Sequence, residues 1–230
     1  MRSLAKGSSA EKVLDFTVYI SSRLAADPEV AALAAPVDAA DKAFRTRLGQ
    51  RNTAADAVTR KRAVRDHHLR AAGAAIRALA FEAAHHFGGA SKKGFTDLFP
   101  RAPSSLIATA EKNREAEFDG LSTRAHGVAS VASLKLLVKS FSEAWTRLKA
   151  AQATLDAGLS DHGKAGEAVL EAKEAVNVSA RQVYGQLLAR YADDTERCDS
   201  YFPATPVKAK KKGEPSPTTT AGVTTTKAPR

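Results

Sequence analysis

The chain reads as all-α: an antiparallel helical bundle built from two related long helical hairpins, with a disordered C-terminal tail. Three observations predict this. Apolar residues make up 43% of the chain but aromatics only 6%, so alanine carries much of the core, which suits helices packed at short range. Branched and aromatic residues recur every three or four positions, the period of a helix with one buried face. Finally, two stretches about a hundred residues apart end alike, in ASKKGFTDLFP at Pro100 and DDTERCDSYFP at Pro203.

Taken in order, Ser9 is a candidate N-cap, and Val13, Phe16, Ile20 and Leu24 then trace the apolar stripe of a first helix. Asp27-Pro28 ends that helix and caps the next, because proline is accepted at a first helical position. Val30, Leu33, Val37, Ala40, Phe44 and Leu48 continue the spacing, with a kink or restart expected at Pro36. The stretch from Gly49 to Asn52 is a weak point, either a loop capped by Asn52 or a continuous helix. A long Ala-rich helix follows from Asn52 to Phe87, basic in its first half and apolar in its second, and Gly88-Gly89 stops it. After the loop ending at Pro100, a shorter helix from Ser104 carries Leu106 and Ile107 and breaks near Asp119-Gly120. A longer helix from about Leu121 to Leu155 uses Val131, Leu134, Val138, Phe141, Trp145 and Leu148. Gly158 to Gly163 reads as a turn, and a last helix runs from about Lys164 to Tyr191.

A slide of 104 residues puts Val37 on Phe141, Ala40 on Ala144, Phe44 on Leu148 and Leu79 on Val183. A slide of 103 puts Leu98, Phe99 and Pro100 on Tyr201, Phe202 and Pro203. This pattern predicts repeats at about 37–100 and 141–203 inside a bundle covering 1–203. Each repeat would be a hairpin, and two hairpins would bury each other's apolar faces as a coiled-coil-like four-helix bundle. The first repeat has twelve Lys and Arg against six acids, a net +6. The second has seven against ten, a net −3. Opposite signs would favour their association and contact between molecules. Beyond Pro203, residues 204–230 are rich in Pro, Thr and Lys, with too little apolar surface to offset the entropy of ordering.

The net charge of +10 invites anionic partners, and half of it, +5, lies on that tail. The single cysteine, Cys198, excludes an intramolecular disulfide and a Cys-based zinc site, and its acidic surroundings disfavour a reactive thiolate. No Gly-rich phosphate loop is present. Nor is there a signal-peptide stretch or a run of membrane-span length, so the expectation is a cytoplasmic protein. Glu82 and His85 form the E-x-x-H spacing of di-iron bundles, but no second such pair exists, so neither a metal nor another cofactor is expected. Arg60, Lys61, Arg62 and Arg65 cluster within two turns. They cover more than half the helix circumference, unlike a coherent nucleic-acid-reading face. Lys208, Lys210, Lys211 and Lys212 on the tail suit non-specific phosphate contact.

The functional expectation is therefore a non-catalytic structural or protein-interaction bundle, with a protein partner or copies of itself as its ligand. The alternative is a nucleoid-type protein that binds nucleic acid through the basic tail and the cluster from Arg60 to Arg65. No small-molecule substrate is evident.

Overall fold

Two helices set the architecture. The computed structural model describes residues 4–5, 7–192 and 194–203, so the tail from Ala204 lies outside the described residues. Helix α1 spans Ala10–Ala25, α2 Ala34–Phe87, α3 Lys93–Leu98, α4 Pro103–Ile107, α5 Glu111–Gly127, α6 Ala132–Arg190 and α7 Thr195–Ser200. The described residues contain helices and turns and no strand. With 54 and 59 residues, α2 and α6 extend roughly 80 and 90 Å at 1.5 Å per residue. They pack antiparallel along their length, Phe44 sharing a core with Val183 at one end and Leu79 with Phe141 at the other.

Each end of this pair closes over its own core. In the first lobe, Val13, Phe16, Ile20 and Leu24 of α1 pack with Val37 and Phe44 of α2, Val176 and Val183 of α6, and Cys198, Tyr201 and Phe202 at α7. In the second lobe, Ile76 and Leu79 near the end of α2 meet Phe141 and Trp145 near the start of α6. They are covered by Phe95 and Phe99 at α3, Leu106 of α4 and Phe118 and Leu121 of α5. Between the lobes the two helices run as a stalk whose buried residues thin to Val58 on one side and Ala151, Leu155 and Gly158 on the other.

The predicted hairpins are corrected by this geometry, since each is one uninterrupted helix. No loop forms at Asn52, and Gly158 to Gly163 is helical. A glycine inside a helix costs only about 1 kcal/mol, less than the apolar rows on both sides gain by staying in register. Gly158 has a positive reason to be there. A Cβ at this position would lie 2.8 Å from Lys61 Cδ, so its bare backbone lets the lysine stem cross from α2.

Three smaller expectations also change. Pro36 does not kink a helix running on from Pro28; α2 starts at Ala34, after a 3-10 turn at Ala31–Leu33, and Pro36 lies in its first turn, where its missing N–H has no intrahelical partner to lose. Asp27 caps a turn rather than a long helix, its Oδ1 accepting from Glu29 N at 3.0 Å. The break expected at Asp119-Gly120 falls instead between Gly127 and Ala132. Asp119 accepts hydrogen bonds from Trp145 Nε1 at 2.7 Å and Lys149 Nζ at 3.1 Å, which anchors the middle of α5 on α6.

Other signals sit where the sequence puts them. Ser9 caps α1, its Oγ accepting from Lys12 N. Gly88, at φ +76°, ends α2 in the left-handed region, and Gly89 N donates to Ala84 O at 2.8 Å. Val37, Phe44, Leu79, Leu98 and Phe99 are buried, and so are Phe141, Leu148, Val183, Tyr201 and Phe202, the positions they match by the slides of 104 and 103.

Phe141 is fully buried with Phe118 edge-on at 6.3 Å. Phe141→Ala is therefore expected to cost about 3–5 kcal/mol through lost contacts and the cavity left behind. The loss is read as a lower midpoint in urea unfolding.

Candidate interaction surfaces

The basic cluster on α2 divides into two kinds of residue. Arg60 and Arg62 are exposed and have no carboxylate within 4.0 Å among the described residues. Lys61 is half-buried and lies across Gly158, keeping its stem on the stalk and its ammonium at the edge. Arg65 is structural. Its side chain is 13% exposed, with Nη1 2.8 Å from Glu111 Oε1 and Nε 2.8 Å from Asp66 Oδ1. It ties the stalk to the start of α5. His67 and His68 stack edge-on at 5.4 Å beside it. An open cleft of about 580 Å³ flanks the Lys61 crossing, lined in part by Arg45, Gly49, Thr53 and Asp161.

Lys208, Lys210, Lys211 and Lys212 lie outside the described residues. Glu82 is half-buried and His85 exposed. Among the described residues no group of three or more His, Cys, Asp or Glu side chains is placed to hold a metal ion. The E-x-x-H spacing therefore marks the last turns of α2 and gathers no further ligand. Cys198 is fully buried in the first lobe. Burial pushes its thiol above the ordinary value, and Asp194 and Asp199 push it further, the opposite of an activated nucleophile.

A polar clasp that sequence reading missed closes the first lobe. Arg197 Nη2 donates to Asp27 Oδ2 at 3.0 Å and to Glu29 Oε2 at 3.2 Å, and its guanidinium lies over the Tyr191 ring at 4.0 Å. The Tyr201 hydroxyl donates to Asp27, and the Tyr191 hydroxyl donates to Glu29 at 2.9 Å. The Tyr201 and Arg197 bonds hold the Asp27 carboxyl below the usual carboxylate range. Burial and then the bond to Glu29 push Tyr191 up to about 12. Asp27 and Arg197 are 170 residues apart, and no local pattern links them. The clasp joins the turn after α1 to α7, so it fixes how α7 sits on the lobe.

Among the described residues no ion pair within 4.0 Å joins α2 to α6. The ion pairs seen along the stalk are local or run to α5, and the two helices meet through apolar rows. The unspent charge lies on their outer faces. Large apolar side chains stand there too: Phe81 on α2 is 78% exposed, and Leu136 and Leu170 on α6 are 75% and 61% exposed. Among the described residues no helix is long and apolar enough to cross a membrane. No family model, curated protein or solved structure matches the chain.

The clasp predicts a chemical readout at Cys198, whose thiol is reached only when α7 lifts away. Arg197→Ala removes two carboxylate bonds and a cation–π contact at once. It is expected to speed Cys198 labelling by a thiol reagent about tenfold, while the helical signal by circular dichroism is retained.

Proposed function

We propose that this chain is a non-catalytic structural protein that holds two helical lobes apart on a stalk and works by associating with copies of itself. The reading rests chiefly on one observation: α2 and α6 run unbroken between the lobes and leave their outer faces uncovered over tens of ångströms. Long uncovered helix faces that carry Phe81, Leu136 and Leu170 beside charged residues have the composition of an interface, in which aromatic and arginine side chains are over-represented. The same reading takes the chain as a duplicated unit acting in the cytoplasm. Light scattering on the size-exclusion peak is expected to give at least twice the 24.3 kDa chain mass at micromolar concentration and low salt. A strict monomer under all these conditions would sink the reading.

Exposed Arg60 and Arg62, with no carboxylate in reach among the described residues, favour nucleic-acid binding as a second reading, with Lys208 to Lys212 adding phosphate contacts from the tail. A mobility shift that weakens steeply with salt, and weakens again when residues 204–230 are deleted, would support it. A full-length protein that shows no salt-sensitive shift would remove it.

A further inference from the structure

The outer faces of α2 and α6 carry two stripes of opposite net charge, although Arg181 on the acidic stripe stands where the basic stripe has Arg77. On α2, Ala63, His67, Arg70, Ala74, Arg77 and Phe81 follow each other at intervals of four and three, and all are exposed. At 100° per residue they centre about 170° around the helix from the buried row of Ala72, Ile76, Leu79 and Ala83. They therefore face away from the second core. On α6, 104 residues further on, the same intervals give Glu167, Glu171, Glu174, Val178, Arg181 and Gly185, again all exposed and again about 170° from a buried row, here Val176, Ala180, Val183 and Leu187. Leu170 adds an exposed apolar side chain beside the acidic end.

Within one chain these charges are almost unused. Among the described residues His67, Arg70, Arg77, Glu167 and Glu171 have no oppositely charged group within 4.0 Å, and Glu174 has only Arg181 at 3.2 Å. The basic stripe belongs to the half of the stalk nearer the second lobe, and the acidic stripe to the half nearer the first.

We infer that the partner is a second copy of this chain, docked antiparallel so that the basic stripe of each α2 lies along the acidic stripe of the other copy's α6. Antiparallel docking brings opposite ends of the two stalks together. Each basic stripe then meets an acidic one, and the contact is made twice about a two-fold axis. Parallel docking sets like against like at the same level. Arg70 and Arg77 supply the cations, Glu167 and Glu171 the anions, and Phe81 and Leu170 the apolar area that exposed ion pairs alone lack. The inference rests on the self-association reading above and names its surface.

Charge reversal tests it on the full-length protein by sedimentation velocity between 1 and 100 µM, at low salt and at roughly 0.5 M salt. The wild type is expected to dimerise at low salt and to dissociate as salt rises. Arg70→Glu with Arg77→Glu makes both stripes acidic, and Glu167→Arg with Glu171→Arg makes both basic. Each doubly substituted chain is expected to weaken its own dimer at least tenfold, and an equimolar mixture of the two is expected to restore a dimer. The mixture also serves as the folding control, because a misfolded chain would not rescue its partner. A dimer that survives both reversals overturns this surface and leaves self-association standing. A wild type that stays monomeric throughout overturns both. A monomer that shifts duplex DNA, and loses that shift with Arg70→Glu and Arg77→Glu, assigns the basic stripe to nucleic acid instead.

Discussion

Everything in this fold depends on one constraint: two helices packed alone can bury only one face each. Along the middle of the stalk that face is narrow, with Val58, Ala151 and Leu155 as its apolar content and Lys61 laid over Gly158 to close the gap. So thin a seam contributes little per turn, and most helix stability comes from tertiary burial rather than propensity. The free energy must be gathered at the ends. There, α1 and α7 on one side and α3, α4 and α5 on the other convert the pair into small bundles around Phe44, Phe202, Phe118 and Phe141. The chain reaches each lobe from two distant segments, because α2 leaves the first and enters the second and α6 returns. Burial in either lobe therefore holds the register of the whole stalk.

The same constraint explains where the charge lies. Within the stalk the small seam has no room for a buried ion pair, whose desolvation would have to be offset by near-ideal geometry. Lysine and arginine at the seam survive by laying their stems on it, as Lys61 does, or by bridging sideways, as Arg65 does to Glu111. The remaining charges point outward on faces that no other element among the described residues covers. A stalk whose inner faces are consumed and whose outer faces are chemically distinct is suited to lateral contact with another long object. The opposite signs of those faces make another copy of the chain the simplest such object.

The sequence made the ends of this molecule more legible than its middle. Val13, Phe16, Ile20 and Leu24 declared α1, Gly88 declared the end of α2, and the endings at Pro100 and Pro203 marked where buried aromatics close each lobe. Those signals are local, so a single segment carries them. Glycines in the stalk misled. Gly49, Gly158 and Gly163 read as breaks because a local window sees only their propensity cost, whereas the packing that outweighs it comes from a partner helix about a hundred residues away in sequence. Gly120 misled for the same reason, since the bond from Trp145 to Asp119 holds that turn. The basic cluster was legible as a cluster, but not that Arg65 is structural while Arg60 and Arg62 have no carboxylate in reach among the described residues. The clasp of Asp27, Glu29 and Arg197 was not legible, because its parts come from opposite ends of the chain.

Both the lobes and the proposed docking faces follow from the unbroken stalk, which single-molecule energy transfer between dyes at Ala90 and Thr195 measures. Ala90 follows the end of α2 and Thr195 the end of α6. Because those helices are antiparallel, the two sites should lie about 80 Å apart, the length of 54 helical residues, with near-zero transfer. Helices folded back near Asn52 and Gly158 into a four-helix bundle would leave arms of about 36 residues, roughly 54 Å. Efficient transfer at that distance or less would contradict the stalk.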